Sequence, residues 1–395
     1  MDKWPNHVKQ IVEGVLQATN PISYLKQYIN DPCARDITFL LFDGKQAIGF
    51  KEISHEFCEH KYNIINLGCY EKTAVINTSI LSEKQEMCLI RTEYLINLDS
   101  NIASFLPQLL KKTKIEDGFL NFLKYLKRNN LKLDLIPYAL EDSLNSTGMR
   151  NNARAYECLL GFFVFERMSI SELDTLPCIP NVDDYCCADN AWSKMRHTHF
   201  SERENEKRAR AIYCFFMMIY IIQFENKQSP RNKTAELIEF MNDKLGIYFE
   251  FGTVLAYWYF NKSYQCIEQF FQKVQPKSKN KLKNIEGMAW DLYHLWDVPT
   301  EMVILTQNDN AVVLQGLATH DDALAKIAKL NPLTRVAFYA DEAQVKYAFS
   351  ISDILANDSI LEPLANMKAK REHLRATVDL IQLSRDLEAK LLGMF

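Results

Sequence analysis

Two stretches of alternating strand and helix patterns, separated by a long region without that alternation, constrain this chain more than any other feature. Residues 91–154 read as strand, helix, helix, strand, and residues 281–345 resume the alternation. Between them, residues 155–280 show helical spacing only. Alternation of this kind predicts an α/β fold, so we expect a Rossmann-like parallel sheet interrupted by a mainly helical insertion.

Individual elements follow from the spacing of the apolar side chains. The run EYLINLD alternates apolar and polar residues, as a half-buried strand does, and ends at Asp99. The late part of the chain predicts strands MVILT at 302–306 and TRVAFYA at 334–340, with helices over 285–296 and 321–329. Each strand is therefore expected to be followed by a helix.

The two ends of the chain look different from this core. Residues 1–90 predict a small α+β region that opens with a helix and continues into a hairpin, ITFLLF and QAIGFKEI joined at Asp43-Gly44. Residues 346–395 predict a helical segment whose last part is charged and amphipathic. The core is expected to occupy 91–154 and 281–345.

Composition excludes several classes of protein. The chain has 395 residues, a formal net charge of −4 and 48% hydrophobic side chains, so it is neither disordered nor a basic nucleic-acid coat. Its ten cysteines include no Cys-x-x-Cys pair, which predicts reduced thiols and a cytoplasmic location. The longest apolar stretch, 211–224, is shorter than the roughly twenty residues of a membrane-spanning helix, so no membrane partner is expected.

Four acidic residues are predicted to meet at one edge of the sheet. Asp99 and Asp309 each follow a predicted strand, and the carboxyl ends of parallel strands share an edge. Asp291 borders the apolar stripe of a helix, and Glu141 begins the helix after LKLDLI. Carboxylates that lie so near one another repel each other unless a cation lies among them. The four residues are therefore candidate catalytic and metal-binding residues for Mg²⁺ or Mn²⁺.

The runs around these acids resemble the motifs of PIN-domain nucleases. LDSNIASFL, YALED and AWDLYHLW followed by VILTQND occur in the family's order. The resemblance implies a PIN-type sheet and a four-carboxylate site, supported by Asn101 and Thr306. It also implies a metal-dependent endoribonuclease with RNA as substrate. A regulated, toxin-like role in antiviral defence would suit the interrupted core. Asp142 or Glu286 are alternatives for one of the acids.

A basic run precedes the third motif. Its candidates for nucleic-acid binding are Lys277, Lys279, Lys281 and Lys283. Lysines supply phosphate contacts that do not depend on base sequence. A solvated linker has the same composition, so the run is either a phosphate-binding surface or a simple loop.

Two other functions stay open. The same acids would serve a nuclease acting on structured DNA. In contrast, a non-catalytic adaptor would use the apolar 211–224 helix and the C-terminal amphipathic helix to bind a regulatory protein or a second copy of the chain.

Overall fold

A computed structural model describes most of the chain, and it divides the chain into two compact units. Unit 1 contains Met1–Asp142, Thr147–Ser193 and Asp297–Ala348, and unit 2 contains Ser143–Ser146, Lys194–Trp296 and Phe349–Phe395. The described residues are 4–43, 57–59, 61–68, 73–82, 92–135, 138, 141, 152–197, 199–225, 227–309, 312–340, 342–356 and 367–394.

Nine strands lie in the described part of unit 1. They are β1 Thr38–Leu41, β2 Phe57–Glu59, β3 Tyr62–Asn66, β4 Ala74–Ile76, β5 Thr92–Leu98, β6 Lys132–Asp134, β7 Val312–Thr319, β8 Leu333–Tyr339 and β9 Glu342–Tyr347.

Helices make up most of the remaining structure. The first eight are α1 Asn6–Gln17, α2 Pro21–Leu25, α3 Thr78–Ser82, α4 Ser100–Ala103, α5 Gln108–Lys111, α6 Asp117–Arg128, α7 Asn152–Arg167 and α8 Val182–His197. The others are α9 His199–Glu225, α10 Pro230–Phe240, α11 Glu250–Phe260, α12 Gln265–Phe271, α13 Lys281–Asp309, α14 Asp322–Leu330, α15 Ile351–Ile354, α16 Lys368–Thr377 and α17 Leu380–Gly393.

The larger sheet of unit 1 has five strands in the order β2-β3-β7-β5-β6. β5 runs parallel to both β6 and β7, whereas β3 is antiparallel to β7 and to β2. A close contact fixes the β5–β7 pair: a Cβ at Gly316 would overlap the Tyr94 ring and approach Ile96 Cδ1 to 3.0 Å. The tyrosine therefore lies over a strand position that only glycine leaves open.

The smaller sheet is antiparallel, in the order β4-β1-β8-β9, and α1 packs on it. Val8, Ile11, Val12 and Val15 form the buried face of α1, as the three-and-four spacing predicts. Arg335 on β8 is buried and donates to the carbonyls of Val15, Leu16 and Ala18 at the end of that helix, while it pairs with Asp43. One guanidinium thus closes the carboxyl end of α1.

Unit 2 is helical, with α9 at its centre. Between Ala211 and Ile222 most apolar side chains of α9 are buried, and α17 lies along the helix. Tyr213 donates to Glu388 and Lys390 pairs with Glu225, so polar contacts hold the same two helices together. The Tyr220 hydroxyl donates to the Phe271 carbonyl at 2.8 Å inside the core.

The sequence predicted the fold class and several elements correctly. The protein is a mixed α/β protein, with strands at 92–98 and 333–339 and a helix at 322–330. The prediction of a purely parallel sheet is wrong for the five-stranded sheet, because β2 and β3 join it in antiparallel orientation. Residues 1–90 are not a separate region: their described strands contribute to both sheets. The second half of the predicted hairpin lies outside the described residues.

One predicted strand is wrong. MVILT at 302–306 lies inside α13, which runs unbroken from Lys281 to Asp309. A short run of apolar residues suits a strand or a helix equally well, and here the preceding helical turns continue through it.

Candidate active site at the carboxyl ends of β5 and β7

Asp99 lies at the carboxyl end of β5, beside the end of β7. The two strands pair in parallel from Thr92 opposite Val312 to Leu98 opposite Ala318, and the Asp99 amide extends the ladder to the Ala318 carbonyl at 3.0 Å. Because the strands end together, Asp99 and Thr319 leave the sheet side by side. This is the edge at which open α/β sheets place their ligands.

Three neighbouring groups donate hydrogen bonds to the Asp99 carboxylate. Thr319 Oγ1 and Asn101 Nδ2 donate to Oδ2 at 2.7 and 3.0 Å, and Ser100 Oγ donates to Oδ1 at 3.3 Å. Only 2% of Asp99 is exposed. Burial of an acidic group without partners would be costly, and these donors offset that cost while fixing the direction of the carboxylate.

The Thr319 hydroxyl also organises the chain that follows it. It accepts a hydrogen bond from the Asp321 amide at 3.0 Å. The Asp321 carboxylate in turn accepts from the amides of Ala323 and Leu324, so Asp321 is the N-cap of α14. Asp99 and Asp321 are therefore both held by one hydroxyl group.

A buried amide pair lies further back on the same strands, two residues before Asp99 on β5 and four residues before Thr319 on β7. Asn97 Nδ2 donates to Gln315 Oε1 at 2.6 Å, and neither residue is exposed. Asn97 Oδ1 is also buried, and it accepts no hydrogen bond from the residues that the structure describes. The end of the β5–β7 pair thus carries carboxylate, amide and hydroxyl oxygens.

Aromatic rings line the side of the site next to β3. The His320 ring lies 4.8 Å from the Tyr62 ring and 5.7 Å from the Phe105 ring, measured between centroids. Burial raises the pKa of Tyr62, and the hydrogen bond from its hydroxyl to Glu116 raises it further. Tyr62 is therefore neutral at physiological pH and provides a flat apolar wall.

Asp309 and Thr306 have positions different from the predicted ones. Both belong to α13, and Val312 after that helix pairs with Thr92 at the start of β5. The seven steps from Thr92 to Asp99 rise roughly 23 Å. The three steps from Val312 back to Asp309 span at most about 11 Å. Asp309 consequently lies toward the amino ends of β5 and β7, and the prediction that it follows a strand is wrong.

The remaining predicted acids lie apart along the chain. Glu141 is half-buried in unit 1, whereas Asp291 belongs to α13 within unit 2. Lys273 Nζ lies 3.6 Å from Asp291 Oδ2. Asp291 therefore has a cationic partner, Lys273, within its own unit.

Most of the predicted phosphate-binding lysines are accessible. Lys277, Lys279 and Lys283 are exposed in unit 2, whereas Lys281 is buried at the start of α13. A hydrogen bond from the Gln275 amide to Ser278 Oγ at 2.9 Å shapes the loop that carries them. Three of the four lysines present their charge to solvent.

Thr319 and Asp321 were not among the residues predicted from the sequence. The signal was present: the apolar run VVLQGLA is followed by Thr-His-Asp-Asp. Here an acid stands two residues after a strand-terminal threonine, whereas Asp309 stands three residues after Thr306. The two runs look alike in sequence, and only strand pairing distinguishes them.

Within the described ranges, no three His, Cys, Asp or Glu side chains form a group that could hold a metal ion. None of the described helices has both the length and the hydropathy that a membrane span requires. No family model, curated protein or solved structure matches the chain significantly. The function must therefore be argued from the site.

Proposed function

We propose that the protein is a metal-dependent endoribonuclease whose catalytic edge lies at the carboxyl ends of β5 and β7. One observation carries the proposal: the buried Asp99 carboxylate is aimed by Thr319 and Asn101 at the end of two parallel strands. An aspartate that only capped a helix would accept from the backbone amides of that helix, and the Asp99 side chain makes no such bond to α4. Asp99 bonds to side chains from two separate parts of the chain instead.

The donors at this edge suit a hard divalent cation. Carboxylate, amide and hydroxyl oxygens are the ligands that Mg²⁺ and Mn²⁺ prefer. We assign Asp99 as the first ligand and Asp321, in place of Asp309, as the next acid along the edge, with Glu141 of the same unit as a further candidate. When bound, the ion would activate the attacking water and stabilise the leaving oxygen of a phosphodiester.

The residues around Asp99 have a positioning role in this proposal. Thr319 and Asn101 hold the carboxylate in one orientation before substrate arrives, so no reorganisation is needed during the reaction. The exposed lysines 277, 279 and 283 would contact phosphates without reading bases. Three residues support a PIN-like core. They are Asp99 at the end of β5, Asn101 two residues later and Thr319 on the neighbouring strand. A regulated role in antiviral defence rests on that resemblance alone, and a cytoplasmic location rests on the cysteine pattern.

The test is cleavage of defined substrates by purified wild-type protein and two variants. Asp99→Asn keeps the size of the side chain but removes its charge and replaces one accepting oxygen by a donating amide group, and we expect a loss of at least roughly 100-fold in rate. Asp117→Asn, an exposed residue in the first turn of α6, is the matched control. Cleavage by Asp99→Asn at the wild-type rate would contradict the proposal and indicate a contaminant.

Substrate choice separates RNA from structured DNA. Single-stranded RNA, transfer RNA and flapped DNA are compared with Mn²⁺ and with Mg²⁺. Faster cleavage of flapped DNA than of either RNA would mean that the protein is a DNA nuclease that uses the same acidic residues.

The adaptor alternative would have to use part of α17. Most apolar side chains of the 211–224 helix are buried inside unit 2, and α17 packs against that helix with Leu387 and Leu391 buried. Ile381 and Leu392 on α17 are about half exposed, so a partner would bind there.

A further inference from the structure

An exposed apolar patch lies in unit 1 at the start of α8. Ile179 and Val182 are 83% and 77% exposed, and Tyr185, one helical turn after Val182, is 45% exposed. We call Ile179, Val182 and Tyr185 the α8 patch. Single exposed apolar residues are ordinary, but large aliphatic side chains this exposed within seven residues are not.

The backbone that carries the α8 patch is held firmly. Arg167 pairs with Asp184 and donates to the Ile179 carbonyl. Asn181 and Asp184 exchange side chain to backbone hydrogen bonds, each 2.9 Å long. The Cys178 amide donates to the Leu109 carbonyl at 2.9 Å. The apolar side chains thus project from an ordered frame, which lowers the entropic cost of binding a partner.

Acidic residues dominate the segment that carries the patch. Residues 168–190 contain five acids and no Lys, Arg or His. Two of these acids are paired with cations from outside the segment, Asp184 with Arg167 and Asp174 with Lys124. Arg167 directly precedes this segment, and its pKa is raised mainly by the hydrogen bonds to Asp184, so its charge is already engaged. Asp183 and Asp189 are exposed on α8 beside the apolar residues. The patch is therefore apolar at its centre and acidic at its rim.

We infer that the α8 patch is a docking surface for a basic peptide segment of another protein that carries apolar anchor residues. Apolar anchors would cover Ile179 and Val182, and lysines or arginines would face the acidic rim. Nucleic acid and anionic lipid both carry negative charge, so the rim repels them. The surface lies outside the residues assigned to catalysis, and it would supply a means of targeting or control.

The test uses three labelled synthetic peptides of equal length, measured by fluorescence anisotropy with the full-length protein. One has lysines and a leucine stripe, one has the same lysines with serine in place of leucine, and one has glutamates with the leucine stripe. We expect the lysine–leucine peptide to bind at roughly micromolar concentration, and the other two at least tenfold more weakly.

Variants locate the binding on the protein. Ile179→Ser combined with Val182→Ser should weaken binding of the lysine–leucine peptide at least tenfold. Asp183→Asn combined with Asp189→Asn should weaken it about threefold and reduce its salt dependence. Ile381→Ser is the matched control, because Ile381 is a 49% exposed isoleucine on α17. All substituted side chains are exposed, so the fold is retained.

Three results would overturn the inference. Equal binding of the lysine–serine peptide would show attraction by charge alone. Unchanged binding to the Ile179→Ser, Val182→Ser variant would place the contact elsewhere. A dimer in sedimentation that Ile179→Ser dissociates would identify a second copy of the chain as the occupant instead. None of these measurements depends on nuclease activity, so the two proposals fail separately.

Discussion

The Thr319 hydroxyl donates a 2.7 Å hydrogen bond to the Asp99 carboxylate, across a separation of 220 residues in sequence. The same oxygen accepts from the Asp321 amide, so one side chain connects the end of β5, the end of β7 and the start of α14. A threonine at a strand end thereby fixes both acids of the proposed catalytic edge.

Replacement of Thr319 by valine removes this bond without changing the side-chain volume much. We expect nuclease activity to fall roughly 10- to 100-fold, because Asp99 loses the donor that aims it. The free energy of unfolding should fall by about 1–3 kcal/mol, because the buried Asp99 carboxylate loses a hydrogen-bond donor. Rates with Mn²⁺ and urea unfolding measure the two effects.

Thr334→Val is the control for this change. Thr334 Oγ1 donates to the Lys346 carbonyl at 2.9 Å in the smaller sheet, away from Asp99. Loss of the Thr334 hydrogen bond should lower stability but leave the cleavage rate unchanged. Thr319→Ser keeps the hydroxyl group and should retain most of the activity. Equal loss of activity in both valine variants would mean that Thr319 acts only through stability.

Arg335 is the second position where one side chain joins distant segments. Arg335→Met should lower the free energy of unfolding by about 3–5 kcal/mol, because Asp43 and the end of α1 lose their common donor. Arg335→Lys should have a smaller effect. Arg128→Met at the exposed end of α6 should change stability by less than about 0.5 kcal/mol. Similar effects in Arg335→Met and Arg128→Met would refute the role assigned to the guanidinium.

Gly316 should not tolerate a side chain. Gly316→Ala places a methyl group against the Tyr94 ring, and we expect a loss of about 1–3 kcal/mol. Tyr94→Leu in the same chain should restore part of that loss. At Gly287 on α13 nothing lies near an added Cβ, so Gly287→Ala should instead stabilise by about 0.5–1 kcal/mol. Unfolding curves that show a gain for both alanines would contradict the packing described for Tyr94.

Glu250 makes stability depend on pH in unit 2. Burial raises the pKa of Glu250 above its usual value of 4.5, despite the hydrogen bond from the Ile351 amide. The folded protein therefore binds a proton at Glu250 more tightly than the unfolded chain does. As the pH rises above 4.5, Glu250 consequently lowers the free energy of unfolding. Glu250→Gln should be more stable than wild type at pH 8 and lose that advantage near pH 4. Urea unfolding at both pH values, with the exposed Glu239→Gln as control, measures this difference.

Local patterns predicted α1 and the strands β5 and β8 because each carries a strong period of its own. They failed at MVILT, where β-branched residues continue a helix that began twenty-one residues earlier, at Lys281. That error moved the expected end of the strand from Thr319 to Thr306, and with it the choice of acid. The partnership between Asp99 and Thr319 depends on strand pairing, which no local window contains.

The pairing of β1 with β8 has a consequence for how the protein is made. Thr38 lies opposite Phe338, so the N-terminal strand has no neighbour on that side until nearly three hundred more residues have left the ribosome. The apolar face of α1 is translated long before the segment that completes its sheet. During synthesis this nascent chain should therefore need chaperone protection, and so should unit 2, because α17, which packs along α9, is translated after β8.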